Sequence, residues 1–146
     1  MDLVQRLVAA FSFSLLLLAG LLLLRFRWKD RQARRLRRQR LRRTLVREIG
    51  TVCRAEASLT SNLPSVLGRF GPPAVIPSFA LQSALEGRDA LSVEEQAALG
   101  AFVGPLTRLW HPTPELQPVY ERTVREMLDA GRAAVQVVER HLESEG

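Results

Sequence analysis

Cysteine, histidine, lysine and the aromatic residues are all scarce in this chain, and each scarcity closes off a class of function. Cys53 is the only cysteine among 146 residues, so no disulfide forms within the chain, which fits a reducing compartment. His111 and His141 are the only histidines, and neither has metal-ligand spacing with Cys53 or with a carboxylate. Lys29 is the only lysine, too isolated to suggest Schiff-base chemistry. Phe, Trp and Tyr together make up 6%, and Val–Ile alternation is rare, so nothing points to a sheet. The patterns G-x-x-x-x-G-K-[ST], G-x-G-x-x-G and G-x-S-x-G are all absent. Cys53 stands beside Arg54, which can depress a thiol pKa, but its place near an apolar stripe favours a buried, inert cysteine. Turn and capping roles explain His111 and Glu115 better than an acid–base pair does. The expectation is a non-enzyme with no cofactor, no metal and no small-molecule substrate.

What the chain does have is a steep polarity of charge. Between Arg25 and Arg47, twelve basic residues stand against Asp30 alone. From Glu48 onward, eight arginines stand against thirteen carboxylates, a net of −5. The overall +6 therefore conceals a short basic segment joined to an acidic body.

Ahead of the basic segment, Leu7 to Leu24 reads LVAAFSFSLLLLAGLLLL, eighteen residues without a charge. As a helix this run is about 27 Å long, close to the roughly 30 Å hydrocarbon core of a bilayer. Ser12 and Ser14 can return their hydroxyls to the backbone one turn back. Phe26 and Trp28 follow where aromatic rings favour the headgroup level. A cleaved signal peptide is disfavoured, because only Arg6 precedes the run and no A-x-A site follows it. The positive-inside bias would place the Arg-rich flank in the cytoplasm and the N-terminus outside, on the periplasmic side in a bacterium. The sequence thus predicts a single-pass anchor over 1–24. Ala10, Ser14 and Gly20 are small enough to admit another transmembrane helix.

Residues 25–48 contain neither Gly nor Pro and consist mainly of good helix formers. The anchor is expected to continue as a basic juxtamembrane helix over 25–60. An apolar stripe at Leu41, Leu45, Ile49, Val52, Leu59 and Leu63 emerges along it, and the helix ends near Ser61-Asn62 and Leu63-Pro64. The cations Arg25, Arg27, Lys29, Arg31, Arg34, Arg35, Arg37, Arg38, Arg40, Arg42 and Arg43 are assigned to an acidic partner or to lipid headgroups. Headgroup attraction is worth about 1 kcal/mol per basic residue near the surface and fades within about 8 Å. On an upright helix only Arg25 to about Arg31 fall within that reach. Nucleic acid is disfavoured as a partner, since beyond Trp28 no aromatics are interleaved with the basic residues to stack on bases. A solvated run that only sets topology is the plainest alternative.

A Pro/Gly-rich connection over 61–77, with Pro72, Pro73 and Pro77, forbids continuous helix. A cytoplasmic helical domain over 78–146 follows. Its first helix starts at Pro77 or Ser78, carries Phe79, Leu81 and Leu85, and stops at Gly87, with Arg88-Asp89-Ala90 as a turn. Ser92-Val93-Glu94-Glu95 matches a capping box. The helix it opens runs to about Trp110, with Ala98, Leu99, Phe102, Val103, Leu106, Leu109 and Trp110 inward and a kink or split at Gly104-Pro105. Thr113 with Pro114 opens the last helix, whose start Pro118 can delay by a turn and which reaches about Leu142. Its inward set is Leu116, Val119, Tyr120, Val124, Met127, Leu128, Ala134, Val135, Val138 and Leu142, and Glu121 pairs with Arg125 on the outer face.

The fold class read from this is all-α: a single transmembrane helix continuing into a basic cytoplasmic helix, then a small helical bundle. The function expected is that of a non-catalytic accessory or assembly subunit of a membrane protein complex, with membrane lipids and other membrane-protein subunits as partners. The alternative is an electrostatic tether for anionic lipid or nucleic acid.

Overall fold

A computed structural model of the protein describes residues 3–60 and 74–145, with side chains described for 13–57 and 74–145. Four α-helices carry the described chain: α1 (Leu3–Thr60), α2 (Phe79–Glu86), α3 (Val93–Trp110) and α4 (Tyr120–Ser144). Two short 3-10 helices, Gly87–Ala90 and Pro114–Val119, link them, and no strand occurs among the described residues. The chain divides into two compact units, Met1–Arg37 and Arg38–Gly146.

The first unit requires a correction. The sequence predicts a membrane-spanning helix over Leu7–Leu24, yet no helix among the described residues is long and apolar enough to cross a membrane. Among the described residues the limit is the length of the apolar stretch. The apolar stretch with described side chains runs from Phe13 to Leu24, about 18 Å of rise against a core of roughly 30 Å. Extending it past Leu24 takes in Arg25, Arg27, Lys29 and Asp30. Residues 7–12 of the expected span, Ala10 among them, lie outside the residues whose side chains are described. The transmembrane part of the fold class, the single-pass topology and the membrane localisation with its outward N-terminus and cytoplasmic body are all corrected by this finding. The helical bundle stands.

In the second unit the helix starts are local chemistry. Ser78 caps α2, its hydroxyl accepting from the Leu81 N–H at 3.1 Å. The same hydroxyl donates to Glu48 Oε2 at 2.8 Å, so one serine both starts α2 and ties it to α1. Ser92 and Glu95 form the expected reciprocal capping box at the start of α3. α3 then runs as one helix through Pro105, so of the expected kink or split, the split does not occur. Proline lacks the N–H that would bond back to Ala101, and the ring is buried. Thr113 and Pro114 open the 3-10 helix Pro114–Val119 rather than α4 itself. Pro118 supplies no N–H there, and the α-helix starts only at Tyr120.

The core lies between α3 and α4, with α1 and α2 packed on it. Leu45 and Ile49 of α1 are fully buried with Leu81, Leu99, Phe102, Leu109, Tyr120, Val124, Met127 and Ala134. Leu41 and Val52 pack at its edge, and Leu59 and Leu63 lie outside the described side chains. The α4 positions follow the expected stripe, with Thr123 and Gly131 buried in addition. A glycine in a helix interior costs about 1 kcal/mol relative to alanine, and here the neighbours explain it. A Cβ on Gly131 would stand 2.6 Å from Cys53 Sγ and 3.2 Å from the Phe102 ring. α1, α3 and α4 meet at this point.

Gly131→Ala is therefore expected to destabilise the bundle by about 1–3 kcal/mol, overpacking outweighing the gain in helix propensity. Urea unfolding followed by circular dichroism measures it. Adding Cys53→Ala to that variant should recover part of the loss; a Gly131→Ala protein as stable as the parent would refute the close approach.

Candidate functional site

Arg42 and Glu95 form the most deeply placed polar constellation of the second unit. Arg42 is 2% exposed and Glu95 0%. The Arg42 Nε donates to Glu95 Oε1 at 2.7 Å and Nη2 donates to Oε2 at 3.0 Å, the two-pronged geometry a guanidinium offers a carboxylate. The Ser92 N–H donates to the same Oε2 at 2.9 Å. Arg42 Nη1 lies within ion-pairing distance of Glu145 near the end of α4, though without hydrogen-bonding alignment. His141 Nδ1 faces the Val137 carbonyl at 2.9 Å and so donates to it. That leaves Nε2, in the neutral ring, to accept from Ser92 Oγ at 3.3 Å.

Burial works to raise the Glu95 carboxyl, but hydrogen bonds from Arg42 and from Ser92 outweigh it and hold the group below the ordinary carboxylate range. The Glu95 hydrogen bond raises Arg42, against burial and with help from Glu145. Such a pair is a clamp between α1, α3 and the end of α4. Both side chains are buried, and each favours the charged form of the other.

Two other buried groups are shifted by their surroundings. Burial pushes the Glu56 carboxyl up, and burial, with the nearby Glu56 charge, pushes Tyr120 up to about 12. Cys53 lines a cavity of about 370 Å³ with Gly50, Arg54, Ala57, Arg132 and Gln136. Burial raises its thiol, with Arg132 and Arg54 pulling the other way, so the thiol form is favoured over the nucleophilic thiolate. His111 stacks on Trp110 with ring centroids 4.9 Å apart. Among the described residues no group of three His, Cys, Asp or Glu side chains could hold a metal ion.

The basic residues assigned to an acidic partner divide sharply. In the first unit Arg25, Arg27, Lys29, Arg31, Arg34, Arg35 and Arg37 are all exposed, and none has a salt bridge or hydrogen bond among the described residues. In the second unit Arg38, Arg40 and Arg43 are exposed, while Arg42 is turned inward on Glu95. Phe26 and Trp28 are exposed as well, at 69% and 61%. So are Leu15 to Leu18 and Leu21 to Leu24, each about half exposed or more. Ser14 is exposed, and a Cβ on Gly20 would meet open space.

Sequence reasoning placed Arg42 with its neighbours because composition cannot show which arginine faces inward. The signal was there in the step of three from Arg42 to Leu45 and of four from Leu45 to Ile49, which puts Arg42 on the buried stripe. Comparison with protein-family models, with curated proteins and with solved structures finds no match for this chain.

Arg42→Ala should cost about 3–5 kcal/mol of stability, because it leaves the Glu95 charge buried and unpaired. The Glu95 pKa is depressed on folding, so its contribution is present above the unfolded value of about 4.3 and is lost as pH falls through the folded value. Urea unfolding between pH 7 and pH 3 should therefore show stability falling below about pH 4.3, and Glu95→Gln should flatten that fall. An unchanged acid slope in the Gln variant would refute the depressed carboxyl.

Proposed function

We propose that the protein is a non-catalytic accessory or assembly subunit that joins a larger protein complex through the exposed segment of α1, with the bundle as the folded body it brings along. What carries the reading is the contrast between the two units. Arg42 and Glu95, buried in the second unit, are paired with each other, whereas among the described residues the first unit leaves apolar side chains and seven cations exposed. Exposed apolar surface on that scale marks an interaction site. The absence of a sequence pattern for nucleotide binding or nucleophilic catalysis is in line with it.

A second reading rests on the cations alone: an electrostatic tether that holds anionic lipid or nucleic acid through Arg34, Arg35, Arg37 and Arg38. The two readings differ in salt dependence. A tether neutralising several phosphates loses affinity steeply with salt, while an interface with an apolar centre retains much of its affinity.

Native mass spectrometry of the full chain, gently extracted from its own cells, tests the assembly reading. A defined stoichiometric protein complex that persists when salt is raised is the expected result. A chain that emerges alone, or carrying only lipid or nucleic acid removed by salt, would contradict it.

A further inference from the structure

The exposed segment of α1 carries a feature more specific than its composition. Phe13, Leu17, Gly20, Leu24, Arg27, Arg31 and Arg34 follow one another at steps of four and three, the spacing that keeps side chains on one seam of a helix facing a partner helix. Leu16 and Arg35 flank it. The first half of this seam is apolar and the second half is arginine, and the described side chains along it are exposed apart from the half-buried Gly20. At Gly20 a Cβ would meet nothing within 4 Å, so no neighbour among the described residues requires the glycine, and it lets a partner backbone approach closely.

From this, and resting on the assembly reading above, we propose that the seam docks one helix of a different protein. That helix is apolar opposite Phe13–Leu24 and rich in Asp or Glu opposite Arg27–Arg34. Charge complementarity selects this occupant. A second copy of the chain in parallel would set Arg27, Arg31 and Arg34 against themselves, with Asp30 the single carboxylate beside three like charges. A second copy in antiparallel orientation with Phe13 opposite Leu24 matches apolar to apolar, but sets Arg31 against Arg6 and Arg27 against Ala10, without carboxylates. A nucleic acid would answer the arginines and leave the leucines in water. An apolar-then-acidic helix answers both halves. Arginine suits the acidic half, since its guanidinium holds carboxylates with two parallel hydrogen bonds.

The test is site-specific photo-crosslinking of the full chain in its own cells. The photoreactive residue benzoylphenylalanine is placed at Leu24 or Arg31 on the seam, or at Leu22 or Lys29 off it. Expected are adducts from both seam positions to one and the same foreign polypeptide, at least tenfold stronger than from Leu22 or Lys29. Tandem mass spectrometry should map the Arg31 adduct to an Asp/Glu-rich stretch and the Leu24 adduct to an apolar stretch one to two helical turns away. Replacing Arg27, Arg34 and Arg35 by Glu should abolish the Leu24 adduct, and replacing them by Lys should retain part of it. Adducts to nucleic acid, to lipid or to a second copy of this chain would overturn the proposal, as would a mapped stretch without carboxylates. A stoichiometric complex in native mass spectrometry without seam adducts would sink this proposal alone; no complex at all would sink both readings.

Discussion

The bundle depends on one buried ion pair. Arg42 comes from α1 and Glu95 from the first turn of α3, so the 2.7 Å and 3.0 Å bonds between them fix the register of the two helices as well as their separation. Both groups have given up water, and each is affordable only while the other is in place. The rest of the second unit is arranged around that constraint. Glu95 is simultaneously the N3 residue of the capping box, so the start of α3 and the docking of α1 share one carboxylate. Glu145 and His141 bring the last turns of α4 to the same place. Further along α1, Leu45 and Ile49 enter the core on the same face, and Gly131 gives way to Cys53 where the helices come closest.

Most of the helical framework was legible in the sequence because it is set by local chemistry. Ser92 with Glu95 announces a helix start whatever surrounds it, Gly87 stops α2, and the apolar steps of α4 from Val124 to Val138 read directly as a buried face. Pro105 and Pro114 were harder. Proline removes one N–H and disfavours the helical conformation in the residue before it, but whether the helix breaks or continues is decided by packing, and buried Pro105 is carried through. Arg42 was legible only from its step of three to Leu45, and Gly131 was not legible at all. An arginine among eleven neighbouring cations looks like surface, and a glycine inside an amphipathic stripe looks like a weak point, until the helices they face are known. The apolar run near the N-terminus was read as a bilayer span from its length, and the described part of it is too short for that.

The same helix type serves two different ends along α1. Where Leu45 and Ile49 repeat at helical steps with acidic and apolar partners opposite, the helix belongs to a core, and its one inward arginine is neutralised within the chain. Where apolar residues surround the helix and arginines follow with Asp30 as the one carboxylate, the described apolar and basic side chains stay exposed. On the proposed reading this exposed surface is a contact surface, which takes an apolar stretch first and an acidic one next. A charge pattern this polarised also favours recognition over strength, since complementary charges steer encounter and penalise wrong pairings more than they add affinity.

The pairing of Arg42 with Glu95 is the claim on which the account of the fold turns, and a double-mutant cycle tests it most directly. Arg42→Met, Glu95→Leu and the combined variant are compared with the parent by urea unfolding at pH 7. The account predicts that each single variant is strongly destabilised and that the combined variant is more stable than either, with a coupling of about 1.5–3 kcal/mol. Losses that simply add, with the combined variant the least stable of the three, would mean that the two charges act independently and that something else holds α1 to the bundle.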